Sequence, residues 1–125
     1  DLHRLDRDYE PDLVILEATG AAKPADVLDA LAYYQGRPLQ HVTTTVVVDP
    51  LRLPKLVQIV GPLMQAQIAP ADVLVMTKID IASDAELAQS QQIVREINPG
   101  AALLQASLVQ GIQPDLVHGV LPWLS

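Results

Sequence analysis

Four short apolar runs punctuate these 125 residues, and three of them carry no polar residue in alternation. They are LVIL at 13–16, TTTVVV at 43–48, VLVM at 73–76 and ALLQA at 102–106. A strand that shows one face to water alternates apolar and polar side chains. A run that is apolar throughout must be covered on both faces, as in a parallel sheet between layers of helices.

The intervals between the runs read as helices. Pro24 opens one, with Val27, Leu28, Leu31 and Tyr34 on one face and Gly36 as its stop. Pro54 opens a second through Leu56, Val57, Ile59 and Val60, and Pro62 should kink or divide it. Ser83 and Glu86 form an S-x-x-E capping box ahead of Leu87, Val94 and Ile97, and Asn98-Pro99-Gly100 ends that helix. A last short helix is expected from Pro114 to Leu124. The chain opens with Leu2, Leu5 and Tyr9 at helical spacing and no Met, which reads as the inside of a longer protein. Alternation of this kind predicts an α/β layered fold with right-handed crossovers. The whole of 1–125 reads as one domain with no internal repeat and no linker.

Composition narrows the function. Half the residues are hydrophobic, so disorder is not expected, and a net charge of −7 argues against nucleic-acid partners, which need basic patches. It does not argue against a nucleotide, whose phosphate chain needs only a few local donors. Without cysteine there is no disulfide framework and no thiolate metal site. No apolar stretch reaches the length of a membrane span and no signal peptide opens the chain, so the cytoplasm is the expected compartment.

In open parallel sheets ligands gather at the carboxyl ends of the strands. Those ends carry Glu17-Ala18-Thr19-Gly20, Asp49-Pro50, Thr77-Lys78-Ile79-Asp80 and Ser107. The TKxD run has a specific chemistry. A carboxylate accepts two parallel hydrogen bonds, and guanine offers matched donors at N1 and its exocyclic N2. Adenine has no such pair and would leave Asp80 underpaired, at a cost of about 1–3 kcal/mol. Lys78 can lay its aliphatic stem along the base, and Thr77 can tie the loop to neighbouring backbone. The plainer alternative is that Asp80 and Ser83 only begin the next helix, with Lys78 a solvated charge. Glu17, three residues before Gly20, suits Mg²⁺-assisted phosphoryl transfer, as a metal-water ligand or by orienting the attacking water. Gly20 would let backbone approach a γ-phosphate. Here the alternative is a surface acid and a turn glycine.

Taken in order, PDLVILEATGAAKP, TTTVVVDP, QIAPADVLVMTKID and INPGAALLQAS with Gly111 beyond resemble the CobW/HypB/UreG family of metallochaperone GTPases, most closely its CobW branch. The resemblance implies a P-loop NTPase-like α/β/α fold, of which residues 1–125 would be a partial GTPase domain. It implies a Mg²⁺ and γ-phosphate role for Glu17 and Gly20, with Glu17 both catalytic and metal-binding. Guanine reading would fall to Thr77, Lys78 and Asp80, and Ser107 would lie in the loop that closes over the base. The implied cofactors are GTP and Mg²⁺, with zinc or another transition metal handled by residues outside this segment, and the implied partner is a metal-requiring client protein.

The departures are specific. Where the family usually carries an acidic residue just before the proline, this chain has Lys23, either solvated or meeting a phosphate or partner. The family's phosphate loop and Cys-x-Cys-Cys motif belong upstream of LVILEATG, and no G-x-x-x-x-G-K-[ST] run occurs within residues 1–125. The segment alone is therefore expected to hydrolyse little GTP. A non-enzymatic α/β scaffold without nucleotide binding is the competing reading. His3, His41 and His118 are too scattered to suggest a metal site, Trp123 and Leu124 should pack on the sheet or a following domain, and Asp49 is read as a helix cap.

Overall fold

The three apolar runs after residue 42 form the expected parallel sheet. The structure, a computed structural model, describes residues 1–123. Its elements are α1 (Leu2–Tyr9), α2 (Pro24–Leu31), β1 (Thr45–Val48), α3 (Leu53–Ile68), β2 (Val73–Met76), α4 (Asp84–Ile97), β3 (Ala102–Gln105) and α5 (Pro114–Val120). The strands lie in the order β1-β2-β3, all parallel. Thr45 pairs with Val73 and Val73 with Ala102, so the three carboxyl ends finish side by side at Val48, Met76 and Gln105.

Alternation within each strand distributes side chains to two layers. Val46, Val48, Leu74 and Met76 face the layer of α3 and α4, where Leu53, Ile68 and Val94 close the main core. Val73, Val75 and Leu104 face α5, which contributes Leu116 and Val120. Helices therefore cover both faces, and Leu74, Met76 and Val94 lose all contact with water. Burial of each such side chain contributes about 1.5–3 kcal/mol. Helix α5 comes close because Gly119 has no side chain: a Cβ there would stand 2.6 Å from a Leu104 methyl. It does not reach across to β1, so Val47 remains two-thirds exposed.

Local signals for α3 and α4 are realised, whereas α2 ends at Leu31, short of Tyr34 and of the Gly36 expected to stop it. The Ser83 hydroxyl accepts the Glu86 N–H at 3.1 Å and the Glu86 carboxylate accepts the Ser83 N–H at 3.3 Å, closing the capping box. Pro62 lies inside α3, where it has no N–H to give to the preceding turn, and the helix kinks at Val60 (φ −130°, ψ 43°). Asn98, expected only as a terminator, is a buried clamp. Its amide donates to the carbonyls of Ile68 and Ala71, and its oxygen accepts the Ala101 N–H, all within 3.1 Å. One side chain thus joins the exit of α3, the approach to β2 and the approach to β3.

Two further segments differ from expectation. The LVIL run at 13–16 is not a strand. Its backbone pairs with no strand among the described residues, and Ile15 is 81% exposed. Apolar character reports that a segment can be buried, whereas a strand also needs a neighbour for its N–H and C=O groups. The last helix stops at Val120; Trp123 lies beyond it, stacked on His41 with its indole N–H on Thr43 Oγ1 at 3.2 Å, and Leu124 falls outside the described residues.

Residues 1–42 bury no residue fully and are tied to one another by polar contacts. Asp6 accepts both the Arg37 side chain (2.6 Å) and the Arg37 N–H (3.1 Å), and His3 Nε2 accepts the Gln35 N–H at 3.0 Å. The Arg37 bonds hold the Asp6 carboxyl below its ordinary value.

Candidate functional site

The aligned strand ends bring Asp49, Thr77 and Ser107 to one edge of the sheet. Thr77 is doubly tied to β1, its N–H (2.9 Å) and its hydroxyl (3.2 Å) both donating to the Val48 carbonyl. Lys78 follows with φ +55°, in the left-handed region that a lysine rarely adopts. Its carbonyl accepts the N–H groups of Ile81 and Ala82, so the loop folds into a tight turn. The turn carries the Lys78 ammonium back to Asp49 Oδ2 at 2.7 Å.

Asp49 is committed with both oxygens, the other accepting the Leu51 N–H at 2.9 Å. It serves as a turn-former ahead of α3; the capping residue of the helix itself is Arg52. Partial burial alone would raise its carboxyl, but the bonds from Lys78 and Leu51, with the nearby Lys78 and Arg52 charges, hold it below its ordinary 3.8. The next residue is fixed as well, since the fully buried Ser90 hydroxyl of α4 donates to the Pro50 carbonyl at 3.0 Å.

Thr77, Lys78 and Asp80 line one cleft of about 440 Å³. Its apolar wall is Val47, Ile81, Leu108 and Val109. Asp80 is exposed there, and among the described residues no side chain pairs with its carboxylate. It does not cap α4, because Ser83 does. Ser107 stands behind the cleft. It is 5% exposed, and its hydroxyl and carbonyl both accept the Gln110 N–H, at 3.4 and 3.2 Å. That turn leaves Leu108 and Val109 facing outward, 73% and 87% exposed. Neither was singled out from the sequence. Their signal was present, as two large apolar side chains directly after a strand end where polar residues are usual.

Glu17 and Gly20 do not line this cleft. Residues 19–22 form a turn closed by the Ala22 N–H on the Thr19 carbonyl at 2.9 Å. Gln67 in the last turn of α3 donates to the carbonyls of Gly20 (2.8 Å) and Ala22 (3.0 Å). That end of α3 leads into the start of β2, the edge opposite TKxD. Glu17 is exposed, and a Cβ built on Gly20 would meet nothing within 4 Å, so packing does not require the glycine. Among the described residues no group of three or more His, Cys, Asp or Glu stands together as a ready metal site. Lys23 precedes Pro24 at the start of α2 and makes no capping bond there.

The layered α/β sheet has its cleft at the strand carboxyl ends, where ligands bind in open parallel sheets. Residues 1–105 match the CobW/HypB/UreG nucleotide-binding domain, and the chain belongs to that family. No curated protein and no solved structure matches the chain. No helix among the described residues is long and apolar enough to cross a membrane.

Proposed function

We propose that the cleft at the strand carboxyl ends is a guanine site and that residues 1–125 are the later part of a cytoplasmic GTPase domain. The observation that carries this reading is the Asp80 carboxylate, which has no partner among the described residues and stands in a cleft with apolar walls beside a lysine held in the left-handed region. A backbone outlier of that kind is held in place by its surroundings, and such outliers cluster at ligand sites. In this reading Asp80 accepts the N1 and N2 protons of guanine. The Lys78 stem lies along the base, Thr77 anchors the loop to β1, and Leu108 and Val109 exclude water. Ser107 shapes the turn that presents them.

Glu17 and Gly20 are assigned to the Mg²⁺ and γ-phosphate end of the nucleotide from the family pattern; Gln67 holds the Gly20 turn at the opposite edge of the sheet here, so this role requires the lightly attached segment around it to shift toward the TKxD edge. A bound Mg²⁺ would offset phosphate charge during transfer. Glu17 would hold one of its waters or orient the attacking water, while the open side of Gly20 leaves room for a phosphate oxygen at backbone distance. Phosphate cradling is assigned to chain outside residues 1–125. Hydrolysis would be coupled to delivery of a transition metal such as zinc to a client protein, through residues also outside this segment.

The test is titration of labelled GDP, GTP and ADP into the full-length gene product. Guanine-selective binding that Asp80→Ala removes supports the site. Equal affinity for the three, or none, assigns the fold to a scaffold without nucleotide handling. Magnesium-dependent GTP turnover by residues 1–125 alone would overturn the assignment of phosphate cradling to outside chain.

A further inference from the structure

Lys78 and Asp80 carry opposite charges, lie two residues apart and line the same cleft. A free lysine ammonium beside a free carboxylate at that spacing would compete for it. A carboxylate already paired with an ammonium has fewer lone pairs to offer a base. In the structure this competition does not occur, because the ammonium is held at the end of β1 by Asp49 at 2.7 Å. Asp49 is well placed to hold it. Its second oxygen is engaged by the Leu51 N–H, its own carbonyl takes the Arg52 and Leu53 N–H groups, and the following carbonyl is pinned by buried Ser90. The Asp49 side chain is 22% exposed against 50% for Lys78, so the fixed partner is the acid and the adjustable one is the lysine.

We propose that Asp49 is a positioning residue for base recognition: it parks the Lys78 ammonium on β1 and so leaves the Asp80 carboxylate free to read the base. The inference rests on the guanine reading of the cleft and adds the residue that sets its selectivity. Asp49 does not touch the base. It acts by removing a competing cation and by fixing which side of the Lys78 stem faces the cleft.

The experiment compares GDP with IDP, whose base lacks the exocyclic amine, in the full-length gene product. Asp49→Asn keeps an oxygen for the Leu51 N–H but loses the charge, and should lower the preference for GDP over IDP by about fivefold, the scale of a partly exposed ion pair. Lys78→Met keeps an apolar stem without the ammonium. It should weaken both nucleotides while leaving their ratio within about twofold. The double variant D49N/K78M should return the ratio to that of K78M, because no cation remains to compete. If D49N does not fold, D49S replaces it, since the serine hydroxyl also accepts the Leu51 N–H. An unchanged ratio in the Asp49 variant overturns the proposal. So does a double variant that stays as low as D49N, since Asp49 would then act through the fold and not through Lys78. Asp80→Ala separates the two levels: if it keeps the GDP preference, the guanine reading itself fails, whereas loss there with no effect of D49N removes only the role of Asp49.

Discussion

Residues 1–42 and residues 43–107 are held together by different physics. The later region is a sheet with a packed core on each face, one of them closed by α5, and Ser90 apart its most buried side chains are apolar. The earlier region has helices, apolar residues and more than one ion pair, yet no residue in it is fully buried. Asp6 with Arg37 and His3 with the Gln35 N–H tie it together internally, and the Gln67 amide joins it to the later region at Gly20 and Ala22, where α2 also meets α3. Dispersion and burial act collectively and are hard to undo one residue at a time, whereas exposed polar contacts exchange readily with water. The Glu17–Gly20 segment therefore sits on the more easily moved part, and the TKxD segment on the rigid part.

Matched truncations distinguish the two regions most directly. Leu74→Ala empties a wholly buried site at the centre of β2 and should cost about 2–5 kcal/mol in chemical denaturation. Ile15→Ala, an apolar residue of similar size in the exposed run, should change stability by no more than about 0.5 kcal/mol. Equal losses would mean the two regions are one core. Asn98→Ala should cost about 1–3 kcal/mol, because two carbonyls and the Ala101 N–H lose their partner beneath the sheet. Gly119→Ala should loosen α5 from Leu104 at a similar or smaller cost, about 1–3 kcal/mol, and should raise amide exchange in α5 before it affects α4.

The smallest expected effect is acid-dependent and local. The folded Asp6 carboxyl lies below its ordinary value of 3.8, so its bond to Arg37 stabilises the fold fully above that value. The contribution is lost as pH falls through the lowered folded value, when the carboxylate takes up its proton. Asp49 follows the same sign with Lys78 and Leu51 as its partners. The protection factor of the Arg37 amide, corrected for its intrinsic rate, should therefore fall at the acid end of the titration while β2 stays protected. Asp6→Asn should show the Arg37 effect already at neutral pH. Rapid exchange in β2 over the same range would mean that the two regions open together.

Legibility from sequence followed the same division. VLVM at 73–76 reads as a strand buried on both sides and is one, because β1 and β3 flank it and helices lie above and below. LVIL at 13–16 has the same pattern and is exposed, because no described strand lies beside it. Ser90 would be passed over as an ordinary polar residue of α4, since only its approach to the Pro50 carbonyl explains its complete burial. In the cleft, Thr77, Lys78 and Asp80 were legible as a local motif with a chemistry of its own. Leu108 and Val109 were not, because they reach it from a loop nearly thirty residues away through the alignment of β2 with β3.

Local residues suffice for the layered α/β class, the capping box of α4, the kink of α3 and the family of the chain, since each depends on residues close together or on an ordered set of local motifs. Tertiary structure alone decided which apolar runs became strands, which face of β1 stayed open and that Asp49 holds Lys78. Pairing and ion pairing are relations between distant segments. Local pattern states what a segment can offer, and only the packed chain supplies the partner that accepts it.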